Sequence, residues 1–211
     1  MRKLLFFALF VTGILGAIGF IFWEQEYKFT LPTPAPENLK QVDTGDSVWL
    51  EFTGPTTRKG MFIHFFNRDC PCSRFNITEF QSMVRRFGDE IEFMAIVQDE
   101  GNPDAAAEFA KEYNLGIKVI YDAEGTIADS LGVYSTPQAV LIKEGKIFYK
   151  GNYNRARFCV SRNTKFAEQA LQALIDDEEP PYFPAVAHTA YGCELPSNQS
   201  NDSNKNWLSI F

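Results

Sequence analysis

The chain has 211 residues, with 27 acidic against 20 basic side chains and a formal net charge of −7. An acidic balance of this size argues against nucleic acid as a partner, because phosphate binding needs a basic surface. Four cysteines and two histidines are few enough for each to be read by its place in the chain.

Residues 1–3 read as a short cytoplasmic N-terminus. Arg2 and Lys3 precede residues 4–23, which are uncharged and largely apolar and match the roughly 20 residues of a membrane-spanning helix. Basic residues before the run and Glu24 and Glu26 after it place the following domain outside the cytoplasm. Ala17-Ile18-Gly19 offers a small-x-small cleavage site, but the apolar run continues to Trp23, so an uncleaved anchor is the expectation. Residues 24–44 contain Pro32, Pro34 and Pro36 and read as an extended linker. Residues 45–176 then form one domain of ordinary size.

Within the domain, residues 47–52 are a short strand candidate. Residues 61–66 form a buried strand, apolar on both faces except at His64. Cys70-Pro71-Cys72 follows, and residues 73–87 form a helix with Phe75, Phe80, Met83, Val84 and Phe87 at apolar positions. Pro71 suits the first helical position, which makes Cys70 the N-cap. Its sulfur is then expected to turn back toward the N–H groups of Cys72 and Ser73. Unpaired N–H groups and a partial positive charge at a helix start favour thiolate, the reactive form. Two thiols at this junction point to redox chemistry. Residues i and i+2 diverge on a helix, so a Cys70–Cys72 disulfide needs the N-cap geometry and closes a small ring that would be readily reduced.

Residues 91–97 form a second buried strand, 103–113 a helix ended by Asn114, 118–121 a short strand, and 126–131 a short helix ended by Gly132. Residues 138–142 and 146–149 make a hairpin around Glu144-Gly145. Residues 163–175 form the last helix. Alternating strands and helices followed by a hairpin give an α/β class: a mixed central sheet with helices on both faces. Residues 177–211 form a C-terminal tail, packed to about residue 196. After that point polar low-complexity sequence is expected to be disordered.

This order of elements resembles the thioredoxin-like fold. The run Val119-Ile120-Tyr121-Asp122-Ala123-Glu124-Gly125-Thr126, continued through Leu131-Gly132-Val133-Tyr134-Ser135-Thr136-Pro137, is similar to the membrane-anchored thiol–disulfide oxidoreductases of bacterial periplasms, the cytochrome c maturation and TlpA-like groups. The resemblance covers roughly residues 45–176. The C-P-C-S-R-F run also resembles an uncharacterised bacterial family of anchored thioredoxin-like proteins. At the active site C-P-C replaces the usual C-x-x-C.

The resemblance implies a single-pass protein of the bacterial inner membrane with its domain in the periplasm. It would exchange disulfides with protein or small-thiol substrates, drawing on an electron partner that nothing in the chain names. Cys70 would be the exposed nucleophile and Cys72 the resolving cysteine. Thr136 and Pro137 would form a cis-proline loop whose backbone pairs with substrate. His64 stands where many thioredoxins carry a buried acid; a proton-relaying base and a core histidine are equal readings of it. Cys159 follows the hairpin, near the site by resemblance, with Arg155 and Arg157 beside it. Four cysteines allow three pairings; Cys70–Cys72 with a structural Cys159–Cys193 bridge is the preferred set. No cofactor and no metal is expected. The competing readings are a copper(I) metallochaperone using the C-P-C thiolates, a non-catalytic scaffold, and a peroxidase. The peroxidase is disfavoured because Asn67 and Asp69 stand where a peroxide-activating threonine is needed.

Overall fold

The computed structural model describes residues 2–25, 27–51, 57–155 and 164–198. In chain order the helices are α1 (Arg2–Gln25), α2 (Pro71–Phe87), α3 (Ala105–Tyr113), α4 (Thr126–Ser130), α5 (Phe166–Ile175) and α6 (Ala185–His188). The strands are β1 (Gly60–Phe66), β2 (Ile91–Val97), β3 (Lys118–Tyr121), β4 (Ser135–Thr136), β5 (Gln138–Lys143), β6 (Lys146–Gly151) and β7 (Cys193–Glu194).

Every residue of β1 is buried. A strand apolar on both sides is stable only inside a sheet whose two faces are covered, and β1 takes the centre of a five-stranded sheet of order β3-β2-β1-β5-β6. β1, β2 and β3 run parallel, while β5 is antiparallel to both β1 and β6. The parallel pairs are joined by crossover connections that carry α2 and α3. The β5–β6 hairpin turns at Glu144 (φ 52°) and Gly145 (φ 74°), the two positive-φ positions of a tight hairpin loop.

Alternation along β1 sends Phe62, His64 and Phe66 to one face and Met61, Ile63 and Phe65 to the other. The first face packs on Phe80 and Met83 of α2 and on Ala170, Leu171 and Leu174 of α5. Phe109 of α3 meets the Phe66 ring edge-on at 4.9 Å. The second face is closed by α4, by Val42 and Leu50 of the chain before β1, and by Leu195 from the tail.

Two expectations change. Residues 47–51 do not form a strand: Ser47 makes a single bridge to Lys146, and Phe52 lies outside the described residues. The linker is not an open spacer throughout. Thr33 N donates to Ala190 O at 2.8 Å, Pro32 bridges to Tyr191, and Val42 is buried. The reason is the tail, which the linker meets. Phe183 packs on the Tyr149 and Phe166 rings. Asn152 Nδ2 then donates to Val186 O at 2.8 Å and to Thr189 O at 2.6 Å, which fixes α6 against the end of β6. The expected disordered stretch after residue 196 lies almost wholly outside the described residues.

Phe62 is fully buried and touches the rings of Phe80, Phe93 and Tyr153. Phe62→Ala is expected to cost about 3–5 kcal/mol, read from the shift in the denaturant unfolding midpoint.

Candidate functional site: a cysteine against a cis-proline loop

β1 ends at Phe66 and α2 begins at Pro71. Proline at the first helical position leaves Cys70 as N-cap, with extended backbone angles (φ −80°, ψ 114°). The sulfur does not cap the helix: Cys70 makes no side-chain cap hydrogen bond. It points across to residues 134–137 instead, where Sγ lies 3.5 Å from Thr136 O.

The Thr136–Pro137 peptide is cis, the geometry that the resemblance implies for this loop. The Thr136 side chain is buried and doubly engaged. Its Oγ1 donates to Phe65 O at 2.9 Å and shares a 2.7 Å hydrogen bond with Ser73 Oγ in the first turn of α2. One hydroxyl therefore ties the loop to the end of β1 and to the start of α2.

The pairing of the cysteines differs from expectation. Cys70 is bonded to Cys193, with a Cα–Cα distance of 5.8 Å. Cys72 is buried and stands outside this bond. The Cys70–Cys72 disulfide is replaced because the two side chains diverge from the helix start, while the tail delivers Cys193 along the loop. β7 lies antiparallel to β4, pairing Thr136 with Cys193 and Ser135 with Glu194. Leu195 N donates to Tyr134 O at 3.1 Å. A Cys159–Cys193 bridge is likewise not formed, and Cys159 and Arg157 lie outside the described residues. Nor is Cys70 exposed: the tail leaves it 2% accessible.

Gly192 makes this approach possible. Its φ is +138°, and a Cβ there would stand 2.3 Å from Thr136 O, closer than any side chain is tolerated. On the other side of the tail Thr33 Oγ1 donates to Gly192 O at 3.3 Å. Beyond β7, Ser197 N donates to Gln98 Oε1 at 3.2 Å and Asn198 Nδ2 to Tyr134 O at 3.3 Å. None of these partners was expected from the sequence; the Gly192-Cys193 step in an otherwise proline- and aromatic-rich tail was the visible signal.

Arg68 and Arg74 flank the Cys70-Pro71-Cys72 run in sequence. Arg68 forms ion pairs with Glu108 and Glu112 of α3, both at 2.6 Å, so it serves α3. Arg74 and Arg155 are exposed. His64 is fully buried, stacked on Phe80 of α2 at 4.3 Å between ring centroids. Its Nδ1 shares a 2.6 Å hydrogen bond with the Tyr153 hydroxyl. Burial pushes the imidazole down to about 3, so the ring is neutral near pH 7, and burial pushes the Tyr153 phenol well up.

A cysteine at the N-cap position of the helix after the central strand, set against a cis-proline loop on a β3-β2-β1-β5-β6 sheet, defines a thioredoxin-like protein. Residues 40–194 match the family model described as "Domain of unknown function (DUF6436)", and the chain belongs to that family. It is 28% identical over 154 residues to a protein named thiol-disulfide oxidoreductase ResA from Bacillus thuringiensis; the match spans 69% of this chain and 86% of that protein. Among solved structures, a hypothetical protein from Sinorhizobium meliloti 1021 superposes with a TM-score of 0.62 at 16% identity, over 74% of this chain and 95% of that one. A putative thiol:disulfide interchange protein DsbE from Chlorobium tepidum gives 0.50 at 18% identity, over 64% of this chain and 99% of that one.

Two outcomes are expected from this geometry. Thr136→Val keeps the shape but removes both hydroxyl bonds, and should lower stability by about 1–3 kcal/mol in denaturant unfolding. His64 has a folded-state proton affinity below its unfolded value, so the unfolded chain binds the extra proton first. Its contribution to stability is complete above pH about 6.5 and is lost as pH falls toward about 3, by at most about 1.4 kcal/mol per pH unit. His64→Gln should flatten the stability profile in that window.

Proposed function

We propose that this protein is a membrane-held, extracytoplasmic thiol–disulfide oxidoreductase whose attacking sulfur is Cys70. One observation carries the reading: Cys70 sits at the N-terminus of α2, engaged in a disulfide, with its sulfur against the carbonyl of Thr136. The N–H groups of the first turn of α2 stabilise a departing or attacking thiolate there. Exchange proceeds when a Cys70 thiolate attacks a substrate disulfide, forms a mixed disulfide and releases one substrate thiolate. Thr136 and Pro137 hold the incoming chain. The relation to a protein named thiol-disulfide oxidoreductase supports the same chemistry.

Cys72, buried one residue beyond Pro71, is assigned as the site's second thiol. His64 is assigned a positioning role. A ring whose proton affinity is depressed this far is a poor base at neutral pH, and its stack on Phe80 and bond to Tyr153 hold α2 in place.

α1 is a 24-residue helix with no buried residue and a mean hydropathy of 2.5 across its most apolar stretch. It is long and apolar enough to span a bilayer, which supports anchoring, and the basic residues before it support an outward-facing domain.

The test is disulfide exchange by the full chain in detergent micelles, followed as thiol-dependent reduction of insulin. Wild type should turn over and Cys70→Ser should lose turnover entirely; a Cys70→Ser protein with full activity rejects the assignment. Anchoring is read separately. The full chain should stay with membranes through alkaline extraction, and a chain lacking residues 1–25 should be released.

A further inference from the structure

The tail does more at this site than a structural bridge requires. A staple needs two cysteines within bonding reach and nothing more. Cys193 instead arrives as part of an extended strand laid along the loop, in register with β4. Three backbone features serve that approach. Gly192 allows its neighbour's main chain to come against Thr136 O, where any Cβ would collide at 2.3 Å. Leu195 N donates to Tyr134 O, extending the pairing past β7, and the Leu195 side chain is fully buried in the core. On the outer side, Thr33 and Pro32 pair with residues 190–192.

Among the described residues β4 pairs with no strand but β7. Removing the tail would leave the main-chain groups of residues 134–136 without partners, and such an edge accepts any extended chain of suitable shape. We propose that residues 192–195 are an internal occupant of a lane that takes an extended, cysteine-bearing polypeptide, and that Cys193 is the redox partner of Cys70. This deepens the exchange reading above and rests on it.

The chemistry balances with two thiols and one disulfide. With Cys70 and Cys193 reduced, the Cys70 thiolate attacks a substrate disulfide; a Cys70–substrate bond forms and one substrate thiolate leaves. The Cys193 thiolate then attacks Cys70 Sγ; the Cys70–Cys193 bond forms and the second substrate thiolate leaves. The substrate gains two electrons, and the two protons shed by Cys70 and Cys193 balance its two new thiols. An external dithiol restores the reduced pair by the reverse exchange. Because the tail and a substrate chain need the same backbone edge, the oxidised form is closed to polypeptide and the reduced form is open. The same collision at Gly192 gives a specificity: a bound chain needs glycine immediately before its reactive cysteine.

Intact full-length protein in detergent is equilibrated across ratios of reduced to oxidised glutathione. Its thiols are then blocked, and it is digested and mapped by mass spectrometry. The expected result is a Cys70–Cys193 peptide that appears and disappears reversibly, with protease cleavage within residues 177–198 rising in the reduced form. If insulin reduction proceeds but the oxidised protein carries Cys70–Cys72, Cys193 is not the partner and the exchange reading stands. If the Cys70–Cys193 bond forms but the protein exchanges no disulfide, the bond is a staple and both readings fail. Specificity is read in Cys193→Ser with two extended peptide disulfides, one with glycine and one with valine before the cysteine. Preferential trapping of the glycine peptide on Cys70 is expected; equal trapping overturns the shared lane.

Discussion

The Thr136 hydroxyl is the junction on which the site depends. Phe65, Ser73 and Thr136 come from three separate stretches of chain, and a single buried oxygen holds all three together. A buried hydroxyl without partners is costly, so the three elements are held to one arrangement. That arrangement places the end of β1, the start of α2 and the proline loop around the Cys70 sulfur. The paired edge that receives β7 belongs to the same residue. Site geometry and tail docking are therefore not independent properties.

For the proposed exchange, the setting of the Cys70 sulfur is made by backbone more than by side-chain charge. Arg68 is drawn away by Glu108 and Glu112, and His64 is neutral beneath the sheet. Cys70 stands at the amide end of α2 without capping it, and its sulfur lies against a carbonyl of the loop. Such fixed dipoles need no protonation change to act, which suits a centre whose chemistry consists of moving one sulfur bond. The aromatic layer of Phe62, His64, Phe80 and Tyr153 supplies the rigidity that this arrangement needs.

The regular elements were legible because their signals are local. The apolar runs of β1 and β2, the Pro71 start of α2, the Asn114 stop of α3 at φ 43° and the Glu144-Gly145 turn each depend on a few adjacent residues. The core of the site was legible for the same reason, since Cys70 and the Thr136-Pro137 step sit at recognisable joints. What the sequence hid was long-range. Cys193 lies 123 residues from Cys70, and no periodicity reports which of several cysteines a folded tail brings close. β4 and β7 are two residues each, too short for any pattern, and exist only because each has the other. The segment before β1 read as a strand from its apolar residues, but those residues are spent on the second core face instead of on a ladder.

The clamp at Thr33 has a spatial consequence. With α1 in a bilayer, only residues 26–32 separate the end of that helix from the first point at which the chain is fastened to the domain. Seven residues reach at most about 25 Å when fully extended, and residues 27–30 are coiled into a short helix. With the helix so placed, the domain would ride within about 25 Å of the lipid headgroups. A domain anchored in this way would meet its partners close to the membrane surface.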